Sequence, residues 1–325
     1  MKTSPRISRR QWLATATAWA AGSTLPAAQA TPHDKPLRVI LPLSAGSGAD
    51  GAIRAIGPSV GKALGQALVI ENLPGAGGIT GTAQLVRAPR DGSTIAIVSN
   101  NHVVNPSLYK NIPFDSINDI TPITIIGTTP FVLVASPKLP VRNVQELIAY
   151  AKANPGVLNY GSSGNGTILH LGAAMFVQQA GLQIPYRGMG QLMNDLLSGQ
   201  VQLGVVAVAP AAPHVKTGAL RALGVTSTKR SDALPEVPTI AEQGLPDYAL
   251  SGWIAAIGPA GLTDAERQRI YQGFAKGVAA PEATQALVAQ GYDIQLTPPA
   301  RTAAFIRDEK QRMEAVVKAA NVKMD

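Results

Sequence analysis

The 325-residue chain is 46% hydrophobic and only 15% charged, with 28 basic and 20 acidic residues. That length suits about two domains with a sizeable core. Cysteine is absent, which excludes disulfides, thiolate metal sites and a cysteine nucleophile. The four histidines, His33, His102, His170 and His214, show no paired metal-ligand spacing.

The first thirty residues read as a processing signal. Ser8-Arg9-Arg10-Gln11-Trp12-Leu13 resembles a twin-arginine export motif, with Trp12 where phenylalanine is usual. An alanine-rich apolar run follows and ends in Ala28-Gln29-Ala30, an A-x-A cleavage signal. Cleavage is expected after Ala30, by the twin-arginine or the general secretion route, placing the mature protein in the periplasm. Residues 1–30 hold Lys2, Arg6, Arg9 and Arg10 and no acid, so the mature chain keeps 24 basic against 20 acidic residues, a net of +4. It has no lysine/arginine run and no aromatic stacking series, which argues against nucleic-acid binding.

Leu37–Leu41 is a short apolar run before Pro42 and predicts a buried strand. The small-residue loop Ser44–Gly51 follows, then Ile53, Ile56, Val60 and Leu64 at helical spacing. Ala67–Glu71 predicts the next strand. The glycines of Asn72–Gly81 do not fit a dinucleotide fingerprint, because the third glycine position falls on Thr80 and no acid is placed to hold a ribose. They suit a tight turn into a helix reaching about Ala88. Thr94–Val98 is a third strand, and Ser99-Asn100-Asn101-His102 lies just past its end, as ligand contact or solvated turn.

Pro122–Ala135 carries two apolar β-type runs separated by Gly127–Pro130, the expected first crossing between domains. Asn143 and Glu146 fit a capping box, and Asn154-Pro155-Gly156 stops that helix. A strand at Val157–Tyr160 then leads into Gly161-Ser162-Ser163-Gly164-Asn165-Gly166-Thr167, with Ile168, Leu171 and Met175 at helical spacing. This repeats the strand, glycine loop and helix of residues 37–64. A helix start exposes unpaired N–H groups and suits an anion. In open α/β sheets, ligands sit beyond the carboxyl ends of strands. Ile184–Gly188 reads as a strand end and turn, and Leu192, Leu196 and Leu197 as a short helix. Val201–Val208 is a strand, His214–Leu220 a short helix, Leu220–Val225 a strand and Trp253–Ile257 the return crossing. Two helices finish the chain, one with Ile270, Phe274 and Val278, the other with Phe305, Ile306, Met313, Val316 and Val317.

Taken together, ENLPGAGGITG (71–81), HVVNPSLYKNIPFD (102–115), ELIAYAKANPGVLNYGSSGNGTILHL (146–171), PYRG (185–188), DLLSGQVQLG (195–204), GALRALGVTSTKRSDALPEVPTIAEQG (218–244) and GWIAAIGPAG (252–261) resemble the substrate-binding receptors of tripartite tricarboxylate transporters, the Bug receptors. The resemblance covers nearly all of the mature chain. It implies an α/β type II periplasmic binding-protein fold, in which two α/β lobes close on a ligand cleft. Lobe 1 would comprise residues 31–130 and 250–325, and lobe 2 residues 131–249. It also implies a monomeric receptor for a small organic acid, without cofactor or catalysis, that serves the membrane subunits of such a transporter. The first loop departs from the family's usual PPGGGTD: it reads PLSAGSGAD, with Asp50 kept.

The expected ligand contacts are Ser44, Gly46, Ser47 and Asp50 from the first lobe, with Asp50 either fixing the loop or accepting from a ligand. Ser99, Asn100 and Asn101 would orient the ligand. Ser162, Ser163, Gly164 and Thr167 would hold a carboxylate, with His170, Tyr186 and Arg187 adding to it. Asp195 suits a helix cap. A periplasmic sensor presenting its closed form to a receptor kinase would use the same fold. An exported serine hydrolase would need Ser162 or Ser163, His170 and Asp195 as a triad, although G-x-S-x-G is absent.

Overall fold

The computed structural model describes residues 35–162, 166–182, 184, 186–188, 192–320 and 322, the stretch 186–188 by its backbone alone. In chain order the strands are β1 (Leu37–Leu41), β2 (Leu68–Asn72), β3 (Thr94–Ser99), β4 (Ile120–Ala135), β5 (Tyr160–Ser162), β6 (Tyr186–Gly188), β7 (Leu203–Ala207), β8 (Arg221–Val225), β9 (Ser251–Pro259) and β10 (Asp293–Ile294). The helices are α1 (Gly48–Leu64), α2 (Ile79–Val86), α3 (Asn101–Leu108), α4 (Val144–Ala153), α5 (Ile168–Gln179), α6 (Leu192–Ser198), α7 (Val208–Lys216), α8 (Asp264–Val278), α9 (Pro281–Ala289) and α10 (Pro299–Ala320).

One strand organises the sheet. The expected break at Gly127–Pro130 does not occur. Residues 120–135 form a single extended β4, because Gly127 through Pro130 keep pairing with β9 from Ile254 back to Ser251. Irregular register before Thr124 and Gly127 lets the long strand bend. Up to Pro130, β4 pairs with β9, and from Phe131 it pairs with β7 and β8 instead. The first lobe therefore carries the order β2-β1-β3-β9-β4, with β10 also on β4, and the second carries β4-β7-β5-β6, with β8 on β4. The apolar residues of β1 are buried because α1 and the α8–α9 pair cover one face of its sheet, while Arg38 pairs with Glu71 of β2.

Packing between these helices is close. A Cβ added to Gly277 of α8 would lie 2.5 Å from the Cα of Val60 in α1, so only glycine permits this approach. Beside it Phe274 is fully buried, a contribution of about 2–3 kcal/mol from apolar area alone. On the other face, a second cluster runs without interruption from Val98 and Val103 through Phe131 to Leu171 and Phe176, and takes in Ile306 and Met313 of α10.

Several elements shift from their sequence-based positions. The strand expected at Val157–Tyr160 lies at Tyr160–Ser162, and Val157 is exposed. The helix expected at His214–Leu220 begins at Val208, directly after β7. Pro210 and Pro213 hide it from pattern reading, yet Pro210 sits in the first turn, where a missing N–H is tolerated.

Candidate functional site

The directions of the strands locate the site. β1 and β3 are parallel, β3 is antiparallel to β9, and β9 is antiparallel to β4. The carboxyl ends of β1 and β3 therefore point the same way as β4 does at Pro130. β7 runs against β4, and its last residue, Ala207, pairs with Phe131, while β5 is parallel to β7. The loops after β1, β3, β5 and β7 thus open on one seam between the lobes, the position where α/β sheets hold ligands.

After β1, Ser47 caps α1, its Oγ accepting the N–H of Asp50 at 3.3 Å. Asp50 is buried and turned inward. Its Oδ2 accepts the N–H of Gly46 at 3.0 Å, and its Oδ1 accepts from Arg54 Nε at 2.9 Å and Asn72 Nδ2 at 3.0 Å. Asn72 Nδ2 also donates to the carbonyl of Leu43 at 3.1 Å. The Gly46 amide, followed by Asn72 and Arg54, holds the carboxyl below its ordinary value against the opposing effect of burial. These bonds tie Asp50 to the loop before α1. Ser44, Ala45 and Gly46 remain exposed.

At the end of β3, Ser99 and, just beyond it, Asn101 are half-buried, with no side-chain hydrogen bond among the described residues. Asn100, expected to orient the ligand, is committed elsewhere. Its Nδ2 donates to Ser251 O and its Oδ1 accepts from Trp253 N–H, both at 3.1 Å, which staples β3 to the start of β9. His102 is buried, donates through Nε2 to Ser116 O at 2.8 Å, and leaves Nδ1 without a partner. Burial pushes its pKa down to about 4, although the Ser116 carbonyl acts to raise it. Ser99, Asn101 and His102 also line a cavity under Pro42 and Gly77–Gly78 with room for about one water.

On the second lobe, Thr167 Oγ1 accepts the N–H of His170 at 3.3 Å and caps α5. His170 is buried, and its Nδ1 accepts from Gly166 N–H at 3.1 Å. Burial lowers its pKa to about 4, so at neutral pH the ring is uncharged, with its proton on Nε2. Ser162 is fully buried and engaged within the protein. Ser163 and Gly164 lie outside the described residues, as do the side chains of Tyr186 and Arg187, whose backbone forms the outermost strand. The hydrolase geometry is not formed around His170: its Nδ1 is taken by Gly166, and Asp195 Oδ2 is buried with no partner. Among the described residues, no three histidine or acidic groups gather to hold a metal, and no helix is long and apolar enough to cross a membrane.

Two stretches at the seam carry no sequence signal. One is the start of α7, the other the turn Gln290–Tyr292 after α9. They touch: a Cβ added to Gly291 would lie 2.8 Å from the Cβ of Ala209. Tyr292 brings its hydroxyl beside Gly48 at the start of α1.

Two α/β lobes joined by a shared strand, with loops facing one seam, define the class: a periplasmic binding-protein fold. Residues 52–322 match the tripartite tricarboxylate transporter family receptor, and the chain belongs to that family of solute-binding receptors. Protein BugT of Bordetella pertussis is 32% identical over 309 residues, covering 94% of this chain and 95% of BugT. The solved structure of the periplasmic binding protein BugD superposes with a TM-score of 0.75 at 29% identity, over 90% of this chain and 99% of that one. An R. palustris protein solved with adipate gives a TM-score of 0.78 at 28% identity, over 89% of this chain and 99% of that one.

Proposed function

We propose that this protein is an exported receptor that captures a small organic acid by closing its two lobes and delivers it to a tripartite tricarboxylate-type membrane transporter. The carrying observation is the convergence of four strand-end loops on one seam, two of them leading into side-chain-capped helices. Their polar groups are serine, threonine, asparagine and backbone amide. Such N–H groups bind an anion without a cationic side chain, and the nearby Arg54 is already engaged by Asp50 and Asn72. The adipate-bound neighbour and the family's name point to the same ligand chemistry. In this reading Ser44, Gly46, Ser99, Asn101, Thr167 and His170 meet the ligand, with Ser163, Gly164, Tyr186 and Arg187 as further candidates.

The lobes divide as residues 31–130 with 250–325, and 131–249. The change of partners along β4 at Phe131 supports that division. Export follows from residues 1–30, with cleavage after Ala30 and a periplasmic address.

The test is a thermal-shift screen of residues 31–325, stripped of ligand by unfolding and refolding. The panel holds mono-, di- and tricarboxylates, aromatic acids, acidic amino acids and neutral controls. An acid at a hundredfold excess over its dissociation constant should stabilise the protein by about 2.7 kcal/mol. Stabilisation by one acid class is the expected result. A refolded protein that ignores every acid and responds to a neutral control would overturn the carboxylate reading.

A further inference from the structure

The return from the second lobe to the first runs through Ala249, Leu250 and Ser251, and each of their carbonyls accepts from a different side chain. Arg312 Nη1 of α10 bonds the carbonyl of Ala249. Thr226 Oγ1, just past β8, donates to that of Leu250 at 2.7 Å. Asn100 Nδ2 donates to that of Ser251 at 3.1 Å. Asn100 and Thr226 sit where the strands already meet. Arg312 reaches the crossing from a separate helix.

That guanidinium is held in place by a buried carboxylate. Arg312 Nε donates to Glu309 Oε1 at 2.8 Å and Nη2 to Oε2 at 3.2 Å, a two-pronged pair. Glu309 is 8% exposed and takes a third bond, at 3.4 Å, from the indole N–H of Trp253. Trp253 is buried in β9, two residues past the crossing, with its ring edge-on to Phe305 at 5.7 Å. One carboxylate therefore joins the residue after the crossing to the guanidinium that grips the residue before it.

The grip is anchored on both sides. Tyr248, next to Ala249, is fully buried and donates to the carbonyl of Gly172 in α5 at 2.8 Å. α10 packs on α3 and β4 and also reaches α5 of the second lobe. An exposed arginine–glutamate pair contributes little. This pair is partly desolvated, engages a backbone carbonyl and an indole, and sits where the lobes can turn.

We propose that Arg312, oriented by Glu309, is a positioning residue for ligand capture: it holds the pivot at Ala249 and so sets the balance between open and closed lobes without touching the ligand. The inference rests on the closure reading above. A receptor that must close binds with an affinity reduced by the fraction of molecules able to close productively, so loosening the pivot weakens binding at a distance.

The test measures small-angle scattering of the ligand-free protein and the dissociation constant of an acid found in the thermal panel. Variants are Arg312→Gln and Trp253→Phe, the second removing the N–H to Glu309 together with part of the buried ring. Controls are Arg301→Gln, an exposed change in the first turn of the same helix, and Leu147→Ala, a core truncation in α4 that lowers melting temperature alone. The expected result is a larger ligand-free radius of gyration and affinity weakened about fivefold or more for Arg312→Gln, a smaller change of the same sign for Trp253→Phe, and neither change in the controls. Wild-type scattering and affinity in Arg312→Gln, with only its melting temperature lowered, would overturn the proposal. Should Arg312→Gln fail to fold, Arg312→Lys, which keeps the charge but not the fork, and Trp253→Phe decide it on the same readouts. Should no acid bind, the ligand-free scattering alone decides: an expanded profile supports the pivot even as the acid reading fails.

Discussion

Asp50 Oδ2 accepts the backbone N–H of Gly46 at 3.0 Å, so a side chain in the first turn of α1 holds the loop that leads into it. Its other oxygen takes Arg54 and Asn72, and Asn72 in turn reaches Leu43 O. The charge of Asp50 thus ties both ends of the segment that would face the ligand. Asp50→Asn keeps the shape, removes the charge and places an N–H₂ where an acceptor is required. We expect a loss of about 2 kcal/mol, the scale of hydrogen bonds to a charged group, measured by urea unfolding at pH 7. Because the folded pKa is lowered, this stabilisation is present above the ordinary carboxylate range and is lost as pH falls from that range through the lowered folded value. The two proteins should therefore converge in stability towards strongly acidic pH. Curves that stay parallel would remove the carboxylate from the loop's stability.

The histidines give the protein a second acid limb. His102 has an ordinary pKa of 6.5, pushed down to about 4 in the fold by burial. The unfolded chain therefore takes up the proton first on acidification. Stability is complete above about pH 6.5, erodes as pH falls towards 4, and levels off below. That lowering corresponds to about 3 kcal/mol as an upper bound. His102→Gln should start less stable, having lost the ring's stacking on Phe114, and then lose less between pH 7 and pH 4. His170 titrates in the same direction, so the variant keeps a residual slope. Equal slopes in urea titrations at pH 7, 6, 5 and 4 would contradict this account.

The loop–helix pairs at residues 44–64 and 161–175 were readable because glycine loops and helical spacing are local, and Asn143 caps as its sequence context suggests. The crossings were harder. Gly127 and Pro130 signal a break, and only pairing with β9, over a hundred residues later, keeps β4 continuous. The staple made by Asn100 is equally illegible, because its partners, Ser251 and Trp253, lie over 150 residues away. The Gly291–Ala209 contact and the grip of Arg312 on Ala249 join residues distant in sequence, and no local pattern announces them.

Thr167 offers a test of the helix start facing the seam. Its Oγ1 satisfies the N–H of His170, and Thr167→Ala removes that cap. A loss of about 1 kcal/mol is expected, with Thr167→Ser restoring most of it. Acid affinity should fall with Thr167→Ala and recover with Thr167→Ser, since the cap orders the loop proposed to hold the carboxylate. Isothermal titration with the acid found in the thermal panel measures this. An affinity unchanged by Thr167→Ala would remove that loop from the site.

Gly291 tests the contact between the lobes. Its φ of +79° favours glycine, and an added Cβ would lie 2.8 Å from the Cβ of Ala209. Gly291→Ala therefore combines backbone strain with a wedge between the lobes. The two effects separate in a double variant: Ala209→Gly removes the opposing methyl and leaves the strain. Gly291→Ala should lower the melting temperature and weaken acid binding about tenfold, the effect of ~1.4 kcal/mol against the closed form. Adding Ala209→Gly should restore much of the affinity while the melting temperature stays low, because the clash acts on closure and the φ strain acts on folding. Restoration of neither would show that strain alone explains the single variant, and that the Gly291–Ala209 approach does not limit how far the lobes close.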